Sequence, residues 1–244
     1  MAESHGPLHQ FEVHSLFELP KLAGYSIDFT NSSLFMVAAV AVIYLFLTLG
    51  MRQRAMVPGH WQSLVEMGHD FIASTLRDTA GEGSKPFIPF MFTVFFFVLT
   101  ANLLGLVPYS FTVTSHIIVT FALSALVFLG VTAVGFYHHG LHFLKMFVPS
   151  GVPLPLIPLL VPIEVISYLA RPITLSIRLA ANMTAGHILL KVVAGFVIAL
   201  GIAGVVPLLL LVGLIGFEVF IAFLQAYIFT ILTCVYLHDA LHMH

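Results

Sequence analysis

A long stretch in the middle of the chain carries no charged side chain. Residues 86–144 contain no Asp, Glu, Lys or Arg, and the whole 244-residue chain has nine basic and eleven acidic residues, 8% of its length. An ordinary soluble domain carries about 25% charged residues, so this chain lacks the polar surface needed in water. This excludes a soluble enzyme, a disordered tail and a nucleic-acid-binding protein with a basic face. We therefore expect an integral membrane protein with several helical spans.

Apolar segments recur along the chain at a length suited to a bilayer, because about 20 residues of helix cross a hydrocarbon core of about 30 Å. Their pattern predicts three upright spans and two longer ones. Residues 60–80 differ, since apolar residues there are mixed with charges in the pattern of an amphipathic helix lying in the membrane interface. The five predicted spans are residues 33–51, 87–107, 116–137, 162–200 and 207–238.

The last two predicted spans are too long to stand upright in a bilayer. At 1.5 Å per residue, a helix over residues 162–200 would be about 57 Å long, so it either tilts steeply or breaks at Pro172. Five prolines within residues 149–162 predict a loop before it, and residues 201–207, with two glycines and a proline, predict the turn after it. We therefore predict an all-α integral membrane protein forming one membrane domain. It has five membrane-crossing helices and one interfacial amphipathic helix, and its last two helices form a long oblique hairpin.

Lysine and arginine in the short loops predict the orientation of the chain. The loops at residues 51–86 and 138–155 hold five of these residues, and the opposite side holds only Lys21. The rule places those two loops and the C-terminus inside, and the polar N-terminal segment, residues 1–32, outside. That segment has no secretory signal pattern, and no repeat of 20–50 residues is evident, which argues against an inverted-repeat transporter.

Five charged residues lie inside the predicted hairpin, where an arginine costs at least about 2.5–3.5 kcal/mol. At 100° per residue, Glu164, Arg171 and Arg178 lie on one face of their helix, and Asn182 shares that face. Small side chains around Arg178 would let another helix approach closely. Arg178 keeps its proton at accessible pH, so it is a candidate fixed charge rather than a proton carrier. Asp239 is assigned to the C-terminal tail.

A second polar pair is predicted across the hairpin turn. His187 lies nine residues after Arg178, on the opposite side of the same helix, while Glu218 and Gln225 are seven residues apart and share a face of the last helix. A turn centred near Gly204 brings His187 opposite Glu218. Burial and pairing move an imidazole and a carboxyl group into the same pH range, so the pair suggests a proton relay within the membrane.

Several of these residues also have a purely structural interpretation. Arg178 could pair with Glu164 or Glu218 simply to hold the helices together. Arg171 and Lys191 are expected to lie near the membrane interfaces or to extend towards them.

Histidine is frequent, with 13 residues, but its spacing defines no metal site. His116 opens a predicted span on the outside, and it is either an access site for protons or a plain interfacial residue. The histidines within residues 138–142 are expected in a solvated loop, and those near the termini offer no ligand geometry. The sequence therefore predicts neither a metal nor a cofactor. Cys234, the single cysteine, is expected to be a packing residue.

Several blocks of the sequence resemble subunit a of the rotary ATP synthase membrane sector. Residues 171–187 read RPITLSIRLAANMTAGH, and residues 218–229 read EVFIAFLQAYIF. The tail LTCVYL at 232–237 and the segment NLLGLVP at 102–108 match the same family. The resemblance covers essentially the whole chain from residue 10, and the arginine–asparagine block is its most specific part.

The resemblance implies a non-catalytic stator subunit that faces a rotating ring of c subunits. It also implies contact with the peripheral stalk b subunits and with membrane lipid, in the inner membrane of a bacterial cell or, as an alternative, of a mitochondrion. By the same resemblance Arg178 is the family's essential arginine, with Asn182 and Gln225 as polar neighbours. His187 and Glu218 are exchanged relative to many bacterial members, which keeps one imidazole and one carboxylate in the outer half-channel.

The resemblance implies a mechanism as well. Protons arrive from outside past His116 and the polar hairpin residues and neutralise a rotor carboxylate, which can then rotate through lipid because its charge is gone. They leave through an inner half-channel near Glu164, where Arg178 favours the ionised carboxylate and separates the two half-channels. The residues alone leave two alternatives open. One is a self-contained secondary transporter using the same charges, and the other is a purely structural membrane subunit.

Overall fold

The computed structural model describes most of the chain. The histidines at positions 5, 9 and 14 and residues 149–153 of the predicted loop lie outside the described residues, as do Lys21 and Arg54. The described residues are 15–17, 28–52, 58–107, 110–148 and 154–242.

The described part of the chain is almost entirely helical. Two short antiparallel strands, β1 (Ser15–Phe17) and β2 (Phe29–Thr30), precede the first helix. Short 3-10 segments extend or join several of the helices. The helices are α1 (Asn31–Gly50), α2 (His60–Ala80), α3 (Ile88–Gly105), α4 (Ile117–His139), α5 (Ile157–Ala199) and α6 (Val205–Leu241).

Five helical segments of the described chain are long and apolar enough to cross a membrane, which confirms the predicted number of spans. Helix α2 is not among them. It buries Val65, Ile72 and Leu76 and exposes Asp70 and Arg77, as expected of an amphipathic helix. Its position in the membrane interface stays a prediction. The five segments are Asn31–Gly50, Glu82–Gly105, Ile117–Phe147, Ile157–Ala199 and Gly201–Leu241.

The main difference from the predicted elements is the start of α5, which begins at Ile157 rather than near residue 162. The prolines there predicted a loop, yet Pro158 and Pro162 lie inside the helix. Pro158 is the second helical residue, where the backbone N–H would have no acceptor within the helix, so proline costs no hydrogen bond there. Pro172 does not end the helix either. Helix α5 has 43 residues, which at 1.5 Å per residue makes it about 65 Å long.

Packing divides the described residues into two units, and each is described by itself. The first unit contains the turn between α5 and α6, which lies at Gly201–Gly204 as predicted. Gly201 has a φ of 55°, a conformation that favours glycine. A Cβ at Gly204 would overlap the carbonyl group of Val197, so glycine permits the close return of the chain. The unit comprises the described residues of segments 1–49, 96–117 and 179–226.

In the second unit, side chains of α4 bind the first half of α5. The Ser124 hydroxyl donates a hydrogen bond of 2.9 Å to the carbonyl of Pro172, and the hydroxyl groups of Thr132 and Tyr168 are 2.7 Å apart. These contacts fix α5 where its prolines remove backbone donors. The unit comprises the described residues of segments 50–95, 118–178 and 227–244.

Candidate functional site

Two predicted site residues, His187 on α5 and Glu218 on α6, meet in the first unit. His187 Nδ1 lies 3.9 Å from Glu218 Oε1, and their side chains are only 10% and 6% exposed. This distance is longer than a hydrogen bond, but it allows an ion pair when His187 is protonated. The juxtaposition predicted from the hairpin turn is therefore observed, and the role of the pair in proton transfer stays a prediction.

The carboxyl group of Glu218 is buried beside a glycine. Neither of its oxygens accepts a hydrogen bond within the described residues. Gly186 faces it from α5, where a Cβ would come 2.5 Å from Glu218 Oε1. Burying a carboxylate without hydrogen-bond donors is costly, so such a group in a spanning helix is a candidate functional residue.

Thr112 completes this site, and sequence reasoning missed it. Its Oγ1 lies 3.0 Å from His187 Nε2 and 3.3 Å from the carbonyl oxygen of Gly105. Thr112 belongs to an irregular stretch between α3 and α4, where neither a helical period nor a charge marks it in the sequence. Thr112, His187 and Glu218 are referred to below as the His187 cluster.

Asn102 on α3 is a second buried polar residue of the first unit. Its Nδ2 donates a hydrogen bond of 3.2 Å to the carbonyl oxygen of Ala222, which is one helical turn beyond Glu218 on α6. The sequence marked Asn102 only as the first residue of the block at 102–108. Its hydrogen bond ties α3 to α6 close to the carboxyl group of Glu218.

Asn182 and Gln225, both predicted site residues, are bonded to each other. Asn182 Nδ2 donates to Gln225 Oε1 at 2.9 Å. Gln225 is 1% exposed, whereas Asn182 is exposed. A role of Asn182 towards the guanidinium of Arg178 stays a prediction, because a guanidinium only donates and would bond the Oδ1 of Asn182 rather than the Nδ2 used here. The pair joins α5 to α6 two helical turns along α6 from Glu218.

His116 precedes α4 by one residue and is partly buried. Its ring stacks on Phe111, with ring centroids 4.9 Å apart and planes at 18°. Burial lowers the pKa of the His116 imidazole below its usual value of 6.5, because the charged form loses water. Next to it, the Thr184 hydroxyl donates to the Ser115 carbonyl at 3.4 Å. The segment that carries His116 is thereby bonded to α5.

Arg178 belongs to the second unit and is exposed. Within the described residues of this unit it forms no salt bridge, so the pairing with Glu164 considered above is not observed, and the pairing with Glu218 stays untested. Glu164, the predicted residue of an inner path, is partly exposed on the first part of α5. An exposed arginine in a helix that can span a membrane is a candidate functional residue.

Arg171 is held in an ion pair, and its expected position near a membrane interface stays a prediction. Its Nη1 lies 3.1 Å from Asp239 Oδ2. Its guanidinium carbon lies 5.1 Å from the ring centroid of Tyr168 and 4.8 Å from that of Tyr236. The pair forms because α6 continues to Leu241, so that Asp239 is helical and not part of a tail. Sequence reasoning missed both the pair and its aromatic partners.

The structure places no metal-binding group among the described residues, since no three or more His, Cys, Asp or Glu side chains cluster there. His139 Nε2, in the group of histidines predicted to be solvated, lies 3.2 Å from the carbonyl oxygen of Leu241. Cys234 is fully buried, as predicted for a packing residue.

Comparison with known proteins gives one consistent result. The family described as ATP synthase A chain matches residues 33–238. ATP synthase subunit a of Parvibaculum lavamentivorans is 57% identical over 243 residues, covering 97% of this chain and 93% of that protein. The subunit a of a Wolbachia from Brugia malayi is 56% identical over 235 residues, covering 96% and 98%. That of Ehrlichia chaffeensis is 52% identical over 242 residues, covering 99% and 100%.

These matches extend over nearly the full length of the chain and of its relatives, and they include every predicted site residue. They agree with the five apolar helices of the described chain, which make it a multi-pass membrane protein. The chain therefore belongs to the ATP synthase A chain family, the non-catalytic subunit a of the membrane sector.

Proposed function

We propose that this chain conducts protons to the rotor of a rotary ATP synthase through two offset half-channels. The observation that carries the proposal is the buried pair of His187 and Glu218, 3.9 Å apart in helices able to span a membrane. Both side chains can gain and lose a proton, and burial there is costly enough that it argues for a role. The outer half-channel would pass His116, Glu218, Gln225 and His187.

The exposure of Arg178 supports the proposal that this chain contacts a rotor subunit. A permanent positive charge on a spanning helix is costly against lipid, so it favours an acidic group on a neighbouring subunit. Ala181 and Ala185 follow on the same helix and are also exposed, and small residues allow another helix to approach closely. The partner that fits this surface is the ring of c subunits, each with a carboxylate.

The proposed transport cycle follows from the desolvation cost of the rotor carboxylate and from the fixed positive charge of Arg178. A proton from the His187 cluster neutralises a rotor carboxylate, which can then leave for lipid because its desolvation cost has fallen. After nearly a full rotation, the carboxylate meets Arg178 and releases its proton towards Glu164, because the guanidinium stabilises the ionised form. The same charge repels protons that would pass directly between the half-channels. A membrane potential supplies about 2.3 kcal/mol per charge per 100 mV.

Assembly and location follow from the same proposal. The chain would contact the c-ring and the b subunits of the peripheral stalk within the bacterial inner membrane, with a mitochondrial inner membrane as the alternative. The secondary transporter that the charges alone leave open is disfavoured by the family match over residues 33–238.

The test is Arg178→Ala in the assembled synthase, with Arg77→Ala as the control. Arg77 is an exposed arginine on α2, so its loss removes a charge without touching the proposed path. We expect potential-driven ATP synthesis in membrane vesicles to fall at least about 100-fold for Arg178→Ala, as for loss of a preorganised charge at a reacting centre. Arg77→Ala should stay near wild type. Unchanged coupled synthesis in Arg178→Ala, at a normal amount of assembled complex, would refute the proposal.

A further inference from the structure

We propose that Thr112 is a positioning residue that fixes the tautomer of His187. In this arrangement His187 carries its hydrogen on Nε2 and presents the lone pair of Nδ1 to Glu218. The inference deepens the proposed proton path and rests on it. It starts from the Thr112 hydroxyl, which lies within hydrogen-bonding distance of both the Gly105 carbonyl and His187 Nε2.

The carbonyl of Gly105 needs a donor from outside the helix. Gly105 is the last residue of α3, and the last four carbonyls of a helix have no donor within it. The two N–H groups that follow bond to earlier carbonyls, since Leu106 and Val107 donate to Leu103 and Leu104 at 3.2 Å each. Among the described residues no backbone N–H donates to the Gly105 carbonyl, and the Thr112 hydroxyl lies within reach of it.

Two hydroxyl groups of the described residues lie near this carbonyl. Ser110 Oγ is 3.1 Å from the Gly105 oxygen but 2.6 Å from the oxygens of both Leu104 and Val107, so its single hydrogen has closer acceptors. Thr112 Oγ1 is 3.3 Å from the Gly105 oxygen, which can only accept, and 3.0 Å from His187 Nε2, which can donate or accept. Both contacts are therefore hydrogen bonds only when Thr112 donates to Gly105.

The tautomer follows by counting hydrogens. A threonine hydroxyl has one hydrogen and two lone pairs. When Thr112 donates to Gly105, it can only accept from His187 Nε2, which must then carry the hydrogen of the neutral ring. Nδ1, the nitrogen 3.9 Å from Glu218 Oε1, is then an acceptor.

This choice sets the direction of proton transfer within the His187 cluster. A proton arriving on Glu218 faces an acceptor nitrogen and needs an approach of about 1 Å to reach hydrogen-bonding distance. In the other tautomer an N–H would face the carboxylate and hold it ionised, which opposes proton uptake. Thr112 does not itself touch the moving proton, so it acts through the orientation and tautomer of His187.

The glycine at the end of α3 leaves space for the Thr112 hydroxyl group. A Cβ at Gly105 would come 2.7 Å from Thr112 Cγ2 and 3.2 Å from Thr112 Oγ1, so a larger residue would displace the threonine. Thr112 is itself 3% exposed, which shields its hydrogen bonds from competing water.

The test compares Thr112→Val, which keeps the shape and removes the hydroxyl, with Thr112→Ser, which keeps the hydroxyl. Both are measured in the assembled synthase in inverted membrane vesicles, by ATP-driven acidification and by the amount of assembled complex. We expect Thr112→Val to lower the pumping rate by about 10- to 100-fold, the range seen when a residue that orients a working histidine is lost. Thr112→Ser should pump within about twofold of wild type, because it keeps the donor and acceptor.

The outcomes separate the inference from the proposed path. Glu218→Gln is measured in parallel, and normal pumping by this variant would overturn the path and the inference together. If Glu218→Gln is inactive while Thr112→Val pumps at the wild-type rate, only the role of Thr112 is overturned. Equal loss in the valine and serine variants would also overturn it, since the hydroxyl would then not be the cause. If the valine variant does not assemble, Thr112→Ala replaces it with the same expected results.

Discussion

Gly186 on α5 faces Glu218 on α6, whose carboxyl group occupies the space that a Cβ at position 186 would need. A Cβ at position 186 would lie 2.5 Å from Glu218 Oε1 and 3.1 Å from the carboxyl carbon. Real Cβ atoms do not approach other atoms so closely, so a side chain there must move the carboxyl group. The position of Glu218 relative to His187 therefore depends on a residue that takes no part in proton transfer.

Gly186→Ala should reduce proton transport without preventing assembly. The added methyl group pushes the flexible end of Glu218 away from its place beside His187, and a misplacement of about 1 Å can cost roughly 100-fold in a positioned reaction. Gly195→Ala is the matched control, because it lies on the same helix and its Cβ would meet no atom within 4 Å. ATP-driven pumping in vesicles measures both. Equal rates for the two variants would show that the exact place of the carboxyl group is unimportant.

Asp239→Asn should destabilise the second unit by about 1–3 kcal/mol, between the values for exposed and buried ion pairs. Arg171 would keep its charge, at 21% exposure, without the carboxylate that lies 3.1 Å away. Asp78→Asn, a change at an exposed acid on α2, is the control.

The readout for Asp239→Asn is alkylation of Cys234, which is fully buried in the same unit. The temperature at which a maleimide labels Cys234, followed by the intact mass of the subunit, should fall for Asp239→Asn and stay unchanged for Asp78→Asn. An unchanged labelling temperature in both variants would mean that the ion pair contributes no stability.

We expect the burial of His116 to lower the stability of the subunit at acidic pH. Burial lowers its pKa below 6.5, so the folded state binds fewer protons than the unfolded state as the pH falls below that value. The stability that this residue contributes is therefore complete above pH 6.5 and is lost as the pH falls through the window just below it. His116→Gln should remove this part of the pH dependence, whereas His60→Gln, at an exposed histidine, should not.

Heat-induced loss of the subunit from the detergent-soluble complex, compared at about pH 7.5 and about pH 5.5, measures the effect of His116 on either side of the usual histidine range. The expected result is a smaller difference between the two pH values in His116→Gln than in the wild type. A difference as large as that of the wild type would assign the acid sensitivity to other groups.

The sequence predicted the helical spans and the pairing of His187 with Glu218, because apolar length and helical period are properties of a single segment. The predicted turn position then aligned α5 with α6. It did not predict the start of α5, since Pro158, which was assigned to a loop, is tolerated in the first turn of a helix.

Two contacts were not predictable for a different physical reason. Thr112 lies in an irregular stretch, where no period relates a residue to the one that it faces across the fold. Arg171 and Asp239 are 68 residues apart, and they meet only because α6 is longer than its apolar part. Such contacts depend on how helices pack, which the hydrophobic pattern does not specify.

The exposed Arg178 has a consequence for how a cell makes this protein. A copy that has entered the membrane without its partner keeps an unshielded charge on a spanning helix, at a cost of at least about 2.5 kcal/mol. That cost disappears when a partner with an acidic group covers the helix. If the proposed partner covers Arg178, copies without it would be the less stable population, and a less stable population is more exposed to proteolysis. Under the proposed function, the charge would then also match the amount of this subunit retained to the amount of partner available to receive it.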